Sequence, residues 1–345
     1  MKLSMPIRFN GDPAQTAQRA RDLESAGIDL LWAGEVYGFD SATLFGFLAG
    51  QTERVEFMSG IFPIYSRTPT LIAQTAATLD ALSRGRFNLG LGTSGPQVIE
   101  GWHGVPFDRP VGRTKEVVEI CRMVWKREPV AYEGKGYSFP LPEGQGTGLG
   151  KALKFMDRPL REDIPVWVAS LGPKNVEMTA EVADGWQPLF FVPDKFRDVW
   201  GDSLDAGGAK RSGDLDTLKI IAGGTVAIGS EDQVREHREA GRATTSFYVG
   251  GMGARGKNFY NDLFGRYGWE AEAKEIQDLF LDGHRKEAAA KVPDEYLRLS
   301  SMCGDEGFVR ERIEVYKQVG VTHLEVNPVG EDPLAVIEQI KAWAE

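Results

Sequence analysis

A closed (β/α)8 TIM barrel with inserted loop segments is the fold this sequence predicts, and three observations predict it. Strand and helix signals alternate from the first residues to the last. The strands are short apolar runs, the kind that a parallel sheet covered on both faces requires. Eight of them can be counted, one barrel's worth. An open doubly wound sheet is the alternative; its fingerprint would be GxGxxG after the first strand, where this chain has Phe9, Asn10 and Gly11. A chain of 345 residues is long for one average domain. Barrels of this type run longer than average as one unit, so a single domain is expected over 1–345, with excursions at about 127–163 and 250–300.

The elements follow in order. Lys2 to Arg8 begins with alternating apolar residues and reads as the first strand. Asp12, Pro13 and Gln15 supply an N-cap, a first-turn proline and a capping-box partner for a helix that Gly27 ends. Ile28 to Ala33 is the second strand, with Glu35, Val36 and Tyr37 where its C-terminal end meets a loop. Val55 to Ile61 is the third. Thr68 and Pro69 start a helix with Ile72, Ala76 and Leu79 on one face and Gly85 at its close. Phe87 to Leu91 is the fourth strand and opens into GTSGPQVIEGWHG; Val117, Cys121, Val124 and Trp125 give the next helix its buried face.

From Arg127 to Asp163 glycine and proline become frequent and the alternation lapses, which marks an insertion with a small hairpin over Tyr132 to Phe139. Its tail carries Lys151, Lys154, Arg158 and Arg161 against one acid, Asp157, in a chain of net charge −10. This reversal of sign reads either as a solvated loop face or as a seat for an anion. Ile164 to Ala169, Gly185 to Phe191 and Leu218 to Ile228 are the fifth to seventh strands. Gly250 to Trp269, rich in glycine and aromatics, reads as a lid-like excursion, followed by charged amphipathic helices around Glu270 to Lys291. Phe308 to Val319 is a helix closed by Gly320, Val321 to Val326 is the eighth strand, and Asp332 with Pro333 caps the last helix.

Composition excludes several functions. Hydrophobic content of 42%, charged content of 26% and 41 glycines suit an α/β enzyme with many turns, and no segment approaches a membrane span. The excess of acid argues against binding nucleic acid. MKLSMPIRF has neither an apolar signal core nor a cleavage site, so a cytoplasmic location is expected. Two cysteines, neither in a CxxC or Cys/His cluster, point to no metal.

The stretch IPVWVASLGPKNVEMTAEVADGW, Ile164 to Trp186, combines a buried strand, a turn and a helix in one unit. Gly172 and Pro173 break the strand, and Val176, Ala180 and Ala183 give the following helix an apolar face. Its first amides, the helix dipole and the Lys174 ammonium beside Asn175 would suit a phosphate, although an ordinary strand-to-helix connection has the same outline.

Five segments in order, GIDLLWAGE, SGIFPIYSRTPTLIAQTAATLDALSRGRFNLGLGTSGPQVIEGWHG, GTGLGKALK, WVASLGPKNVEMTAEVADGW and GVTHLEVNP, give a chain that resembles the luciferase-like flavin and deazaflavin oxidoreductases, and among them the coenzyme F420 branch. The resemblance spans nearly the whole chain. It implies a deazaflavin at the C-terminal face of the barrel, its phosphate held by Ser170, Gly172, Pro173, Lys174 and Asn175. It also implies a non-proline cis peptide after the third strand, here Gly60–Ile61 beside Ser59, forming a bulge behind the cofactor ring. Thr93, Ser94, Gly95 and Gln97 match contacts to the polyol and ring edge. Glu35 matches a position where relatives carry an acid or a histidine beside the cofactor, and a carboxylate there would orient the ring, move a proton or serve as an ion-pair partner. His103, with Trp102, is a candidate for substrate contact, its alternative being a structural histidine.

The chain departs from the pattern where some deazaflavin dehydrogenases carry an acid and a histidine, the matching positions being Gly95 and Val36; a sugar-phosphate dehydrogenase is therefore not expected. The resemblance implies an F420-dependent oxidoreductase that transfers a hydride to or from a small organic substrate, and a homodimer. The alternatives are an FMN-dependent monooxygenase of the same fold and a catalytically silent flavin-binding relative.

Overall fold

The computed structural model describes residues 1–345. Eight parallel strands close on themselves: Lys2–Pro6, Leu30–Ala33, Glu56–Ser59, Phe87–Gly92, Val166–Val168, Gly185–Trp186, Lys219–Ile228 and His323–Pro328, each paired with the next and the last with the first. The expected barrel is present, and helices cover its outer face. Two short segments extend the sheet, Phe62–Pro63 beside the fourth strand and Met302–Gly304 beside the seventh. The second of these was not anticipated, because three residues between two helices carry no readable period.

Alternation along the strands sorts the side chains. Leu30, Met58, Trp167 and Ile221, with Trp32 against them, form a small cluster inside the barrel. The intervening residues, such as Leu31, Phe57, Val168 and Leu324, join a 71-residue cluster between sheet and helices. That outer layer removes most of the apolar surface from water, at about 25 cal/mol per Å². His323 lies inside, edge-on to Trp167 at 5.0 Å between centroids.

The N-cap signals hold, but the capping box expected from Gln15 does not form, because its side chain donates to the Asp12 carboxylate while the Asp12 amide goes to Asn10. Asp12 accepts from the amides of Ala14 and Gln15, Thr68 from Leu71 and Asp332 from Ala335. The helix after the second strand is Ser41–Ala49, capped by Asp40. Some strands end sooner than their apolar runs suggest. The sixth stops at Trp186, because Pro188 has no amide to donate and Phe190 takes φ 58. The third stops at Ser59, where the Gly60–Ile61 peptide is cis.

Both excursions are ordered differently from one another. The first holds only the hairpin Tyr132–Glu133 with Ser138–Phe139. Its Arg161 is drawn inward to the fully buried Asp80 and the carbonyl of Phe87, leaving Lys151, Lys154 and Arg158 exposed. The second is helical instead of a glycine-rich lid: Phe247–Gly251 is a π-helical turn, and Phe259–Arg266 and Glu270–Leu281 follow. Phe190 seats it, with the rings of Tyr248, Tyr260, Phe264 and Tyr296 edge-on around it. No helix is long and apolar enough to cross a membrane.

Candidate functional site at the C-terminal mouth of the barrel

In a parallel barrel all C-terminal strand ends lie on one face, where loops can converge on a ligand. Glu35, Ser59 to Ile61, Thr93 to Gln97, His103 and Ser170 to Asn175 follow the second to fifth strands and therefore share that face. Their side chains divide into those that build the mouth and those open to it.

Ser59 builds. It is fully buried, and its Oγ donates to the carbonyl of Gly90 at 2.8 Å while accepting from the Gly90 amide at 2.9 Å. One hydroxyl thus replaces the ladder bonds lost where the third strand turns out of register at Gly60 and Ile61. The two strands touch there: a Cβ at Gly90 would stand 1.7 Å from the Ser59 carbonyl oxygen, so only glycine fits. Ile61 packs over Gly92 in the same way.

Glu35 is also engaged. Arg67 reaches it through Nη1 at 2.5 Å and Nη2 at 3.0 Å, Ser41 donates its amide and hydroxyl, and Arg67 also holds Asp40. The guanidinium lies 4.6 Å from the Phe62 ring centroid, so the pair ties the loop after the second strand to the segment beyond the cis bond. Opposite charges on Glu35 and Asp40 raise the Arg67 pKa further despite the burial that opposes it. Of the three roles weighed for Glu35, the ion pair is the one its geometry displays.

Ser170 bonds Thr179 at 2.8 Å, and its carbonyl receives the Trp186 indole. Thr93 bonds the carbonyl of Ser94, which takes φ 55, and Gln97 folds back toward Gly95. Gly172 is the N-cap of Pro173–Val182 and makes no side-chain cap; Pro173 has no amide and the Asn175 amide donates to the Gly172 carbonyl, so the Lys174 amide is the one left for an anion. Lys174 is 84% exposed and rests on Glu177, which Lys210 shares. A second cation stands nearby. Arg266, on the second excursion, donates to the carbonyls of Leu171 and Val199 and to no carboxylate. Burial pushes its pKa down, the sign of a charge only partly compensated. No sequence signal marks Arg266, since tertiary folding alone brings it 95 residues back to Leu171.

Unpartnered polar atoms test whether a polar ligand fits. Of eight buried side-chain atoms without a partner, five belong to the barrel interior or its mouth: Ser4 Oγ, Trp32 Nε1, His103 Nε2, Asn175 Oδ1 and Gln187 Oε1. Buried polar groups are ordinarily satisfied, so such a group in a mouth is ready for a ligand or water. Two flank the bulge directly: a Cβ at Gly60 would lie 2.7 Å from Trp32 Cε3 and 3.5 Å from Gln187 Nε2. A planar, polar-edged ring with a phosphate tail would fit this set, Trp32 and Gln187 lying beside Gly60 and Arg266 beside the Gly172 helix start. Across the mouth, at the ends of the first, seventh and eighth strands, a cleft of about 500 Å³ is lined by Arg8, Arg19, Thr225 and Asn327 among others.

Similar proteins agree with this architecture. A protein of Mycobacterium tuberculosis named as a candidate coenzyme F420-dependent oxidoreductase is 39% identical over 334 residues, which cover 94% of both chains. Among solved structures, the coenzyme F420 dependent tetrahydromethanopterin reductase of Methanopyrus kandleri superposes with a TM-score of 0.78 at 23% identity, covering 99% of this chain and 98% of its own. An F420-dependent secondary alcohol dehydrogenase, in complex with an F420-acetone adduct, superposes with a TM-score of 0.71 at 17% identity over the full length of both. The family model for luciferase-like monooxygenases matches residues 3–323. With that match running from the first strand of the barrel to the start of the eighth, the chain belongs to the luciferase-like monooxygenase family.

Proposed function

We propose that this protein is an oxidoreductase using coenzyme F420, passing a hydride between the deazaflavin and a small organic substrate. The observation that carries the reading is the pairing of two features on one mouth: unpartnered Trp32 and Gln187 groups beside Gly60, and the open helix start at Gly172 under the partly compensated Arg266. The first suits a polar-edged ring and the second its phosphate. The 39% identical relative named for F420 supports the deazaflavin.

When bound, the deazaflavin supplies the hydride chemistry, and the protein supplies position and electrostatics. In this reading Trp32 donates its indole N–H to the ring edge and Gln187 offers its carboxamide. Arg266 and the Lys174 amide after Gly172 would meet the phosphate, and the Glu35–Arg67 pair fixes the loop that borders the ring. Lys151, Lys154 and Arg158, all exposed, favour F420 over FMN, because the deazaflavin carries an anionic oligoglutamate tail that FMN lacks. The family also contains FMN-dependent monooxygenases, which remain the second reading. Side-by-side fluorescence titrations decide between them: F420 is expected to bind more tightly, and tighter FMN binding would overturn the assignment. Turnover with reduced cofactor separates both from a silent relative.

A further inference from the structure

Glu325 is a carboxyl to which the site described above gives no role, although it lies within GVTHLEVNP, one of the segments that carry the family resemblance. It lies on the eighth strand, on the same face as His323 and Asn327, and that face is the barrel interior, because the alternate residues Leu324 and Val326 belong to the outer core. The residue keeps some accessible surface, and of its two carboxyl oxygens only Oε1 has a hydrogen-bond partner. It stands on the inner wall of the barrel, two residues below Asn327, which lies nearer the C-terminal end of the strand.

Its neighbours are polar but uncharged. Asn327 donates from Nδ2 to Glu325 Oε1 at 2.9 Å, and no lysine or arginine pairs with it. In register on the first strand is Ser4, fully buried, whose hydroxyl has no partner. In register on the seventh is Gly223, which contributes no side chain. The titratable groups around it are His323, two residues down its own strand and kept neutral by burial, and Tyr316 on the helix Glu306–Gln318, whose hydroxyl burial also keeps protonated. Burial likewise pushes the Glu325 carboxyl above its usual range, with only the Asn327 bond opposing. A carboxyl without a cation in such a place is better held as the neutral acid.

Asn327 connects this acid to the outside. The amide that bonds Glu325 also lines the cleft at the ends of the first, seventh and eighth strands, so Glu325 sits one hydrogen bond inside that cleft. The cleft lies across the mouth from the strands that carry Gly60 and Gly172. A substrate seated there would have the cofactor on one side and the Glu325 O–H within the barrel on the other.

We propose that Glu325 is the general acid of this enzyme and that the substrate it serves is a carbonyl compound, because an oxygen that gains charge as hydride arrives needs a neutral donor in a dry recess. This rests on the F420 reading. The step balances: with a reduced deazaflavin bound to supply the hydride to the carbonyl carbon, the C=O π bond would break toward oxygen, and that oxygen would take the proton of Glu325. An alcohol and a Glu325 carboxylate result, and water entering at the mouth returns the proton. In the opposite direction the carboxylate takes the alcohol proton.

The test has an arm that needs no turnover. Infrared difference spectra of wild type against Glu325→Gln at pH 7 are expected to contain the C=O band of a protonated carboxyl in wild type alone; its absence would overturn the proposal. Glutamine keeps the shape of the neutral acid, and a melting temperature at or above that of wild type verifies folding. F420 affinity by fluorescence titration should agree within about threefold between the two proteins, since Glu325 is not a phosphate or ring contact. Hydride transfer from pre-reduced F420 to a panel of aldehydes and ketones should fall on the order of a hundredfold in Glu325→Gln, with the acid's limb gone from the pH profile, and Glu325→Asp should restore part of it. Equal rates with an unchanged profile would overturn the role, and so would a wild type that binds F420 yet reduces no member of the panel. A wild type that fails to bind F420 would sink the cofactor reading instead, while the infrared arm would still decide where the proton is.

Discussion

Arg266 and Lys174 show how differently two cations of the same mouth are placed. Lys174 was legible in the sequence, because a lysine after Gly-Pro at a strand-to-helix turn has a recognised use, but its ammonium is 84% exposed and already rests on Glu177. Arg266 was not legible, yet its guanidinium is half-buried and bonded to carbonyls alone. A charge-assisted contact from a half-buried donor contributes about 1.5–3 kcal/mol, and an exposed pair well under 1. Arg266→Ala is therefore expected to weaken F420 binding by roughly tenfold or more, and Lys174→Ala by less than about threefold with the difference lost at high salt. Titrations in which Lys174→Ala does the greater damage would reverse this assignment.

Among the elements, helices Ser41–Ala49 and Pro69–Leu82 stand out because they remain apolar on the outside. They lie side by side, with Gly46 of the first against Leu79 and Leu82 of the second. Phe47, Leu71 and Leu82 are 39%, 47% and 56% exposed. Large apolar side chains left on two adjoining helices are a surface suited to a partner, and we propose that a second copy of this chain covers it. Light scattering should then give twice the 38.0 kDa chain mass for wild type and the mass of one chain for Leu82→Lys. A monomeric wild type would refute the dimer. The insertion over 127–163 behaves in the opposite sense: Arg161 anchors its end on buried Asp80, so the four basic residues that looked alike in the sequence are one structural bond and three exposed charges.

For the molecule as a whole, the barrel interior makes stability depend on pH. Burial, and then the nearby Lys2 charge, lower the pKa of His323 to about 4 from its ordinary 6.5. Below pH 6.5 the unfolded chain takes up a proton that the folded one refuses until about pH 4, so the contribution of the neutral histidine is present above 6.5 and lost on acidification. The shift corresponds to a loss on the order of 3 kcal/mol. Glu325 acts with the other sign. Its folded carboxyl holds a proton above 4.5, so its contribution is complete below that value and lost as pH rises through its folded pKa. Melting temperatures recorded from pH 4 to 8 should show that His323→Phe, which keeps a ring against Trp167, removes much of the acid-side loss. An acid limb identical to that of wild type would show that the histidine is not its source.

The sequence by itself determined the barrel, its eight strands, the caps of most helices and the loops that form the mouth, because these depend on local period and on turn chemistry within a few residues. Gly172 and the strand-end loops were legible for that reason, whereas the place of Gly60 came from the family resemblance. Tertiary structure alone decided what the side chains do. Ser59 is spent on Gly90, 31 residues away, and Glu35 on Arg67, 32 away. Trp32 and Gln187 come together beside Gly60 although one lies on the second strand and the other just past the sixth, Arg266 arrives from an excursion, and Glu325 faces Asn327 inside the closed sheet. Such roles depend on which partner a polar group finds once distant strands are brought within hydrogen-bonding distance, and no local pattern in the chain encodes that distance.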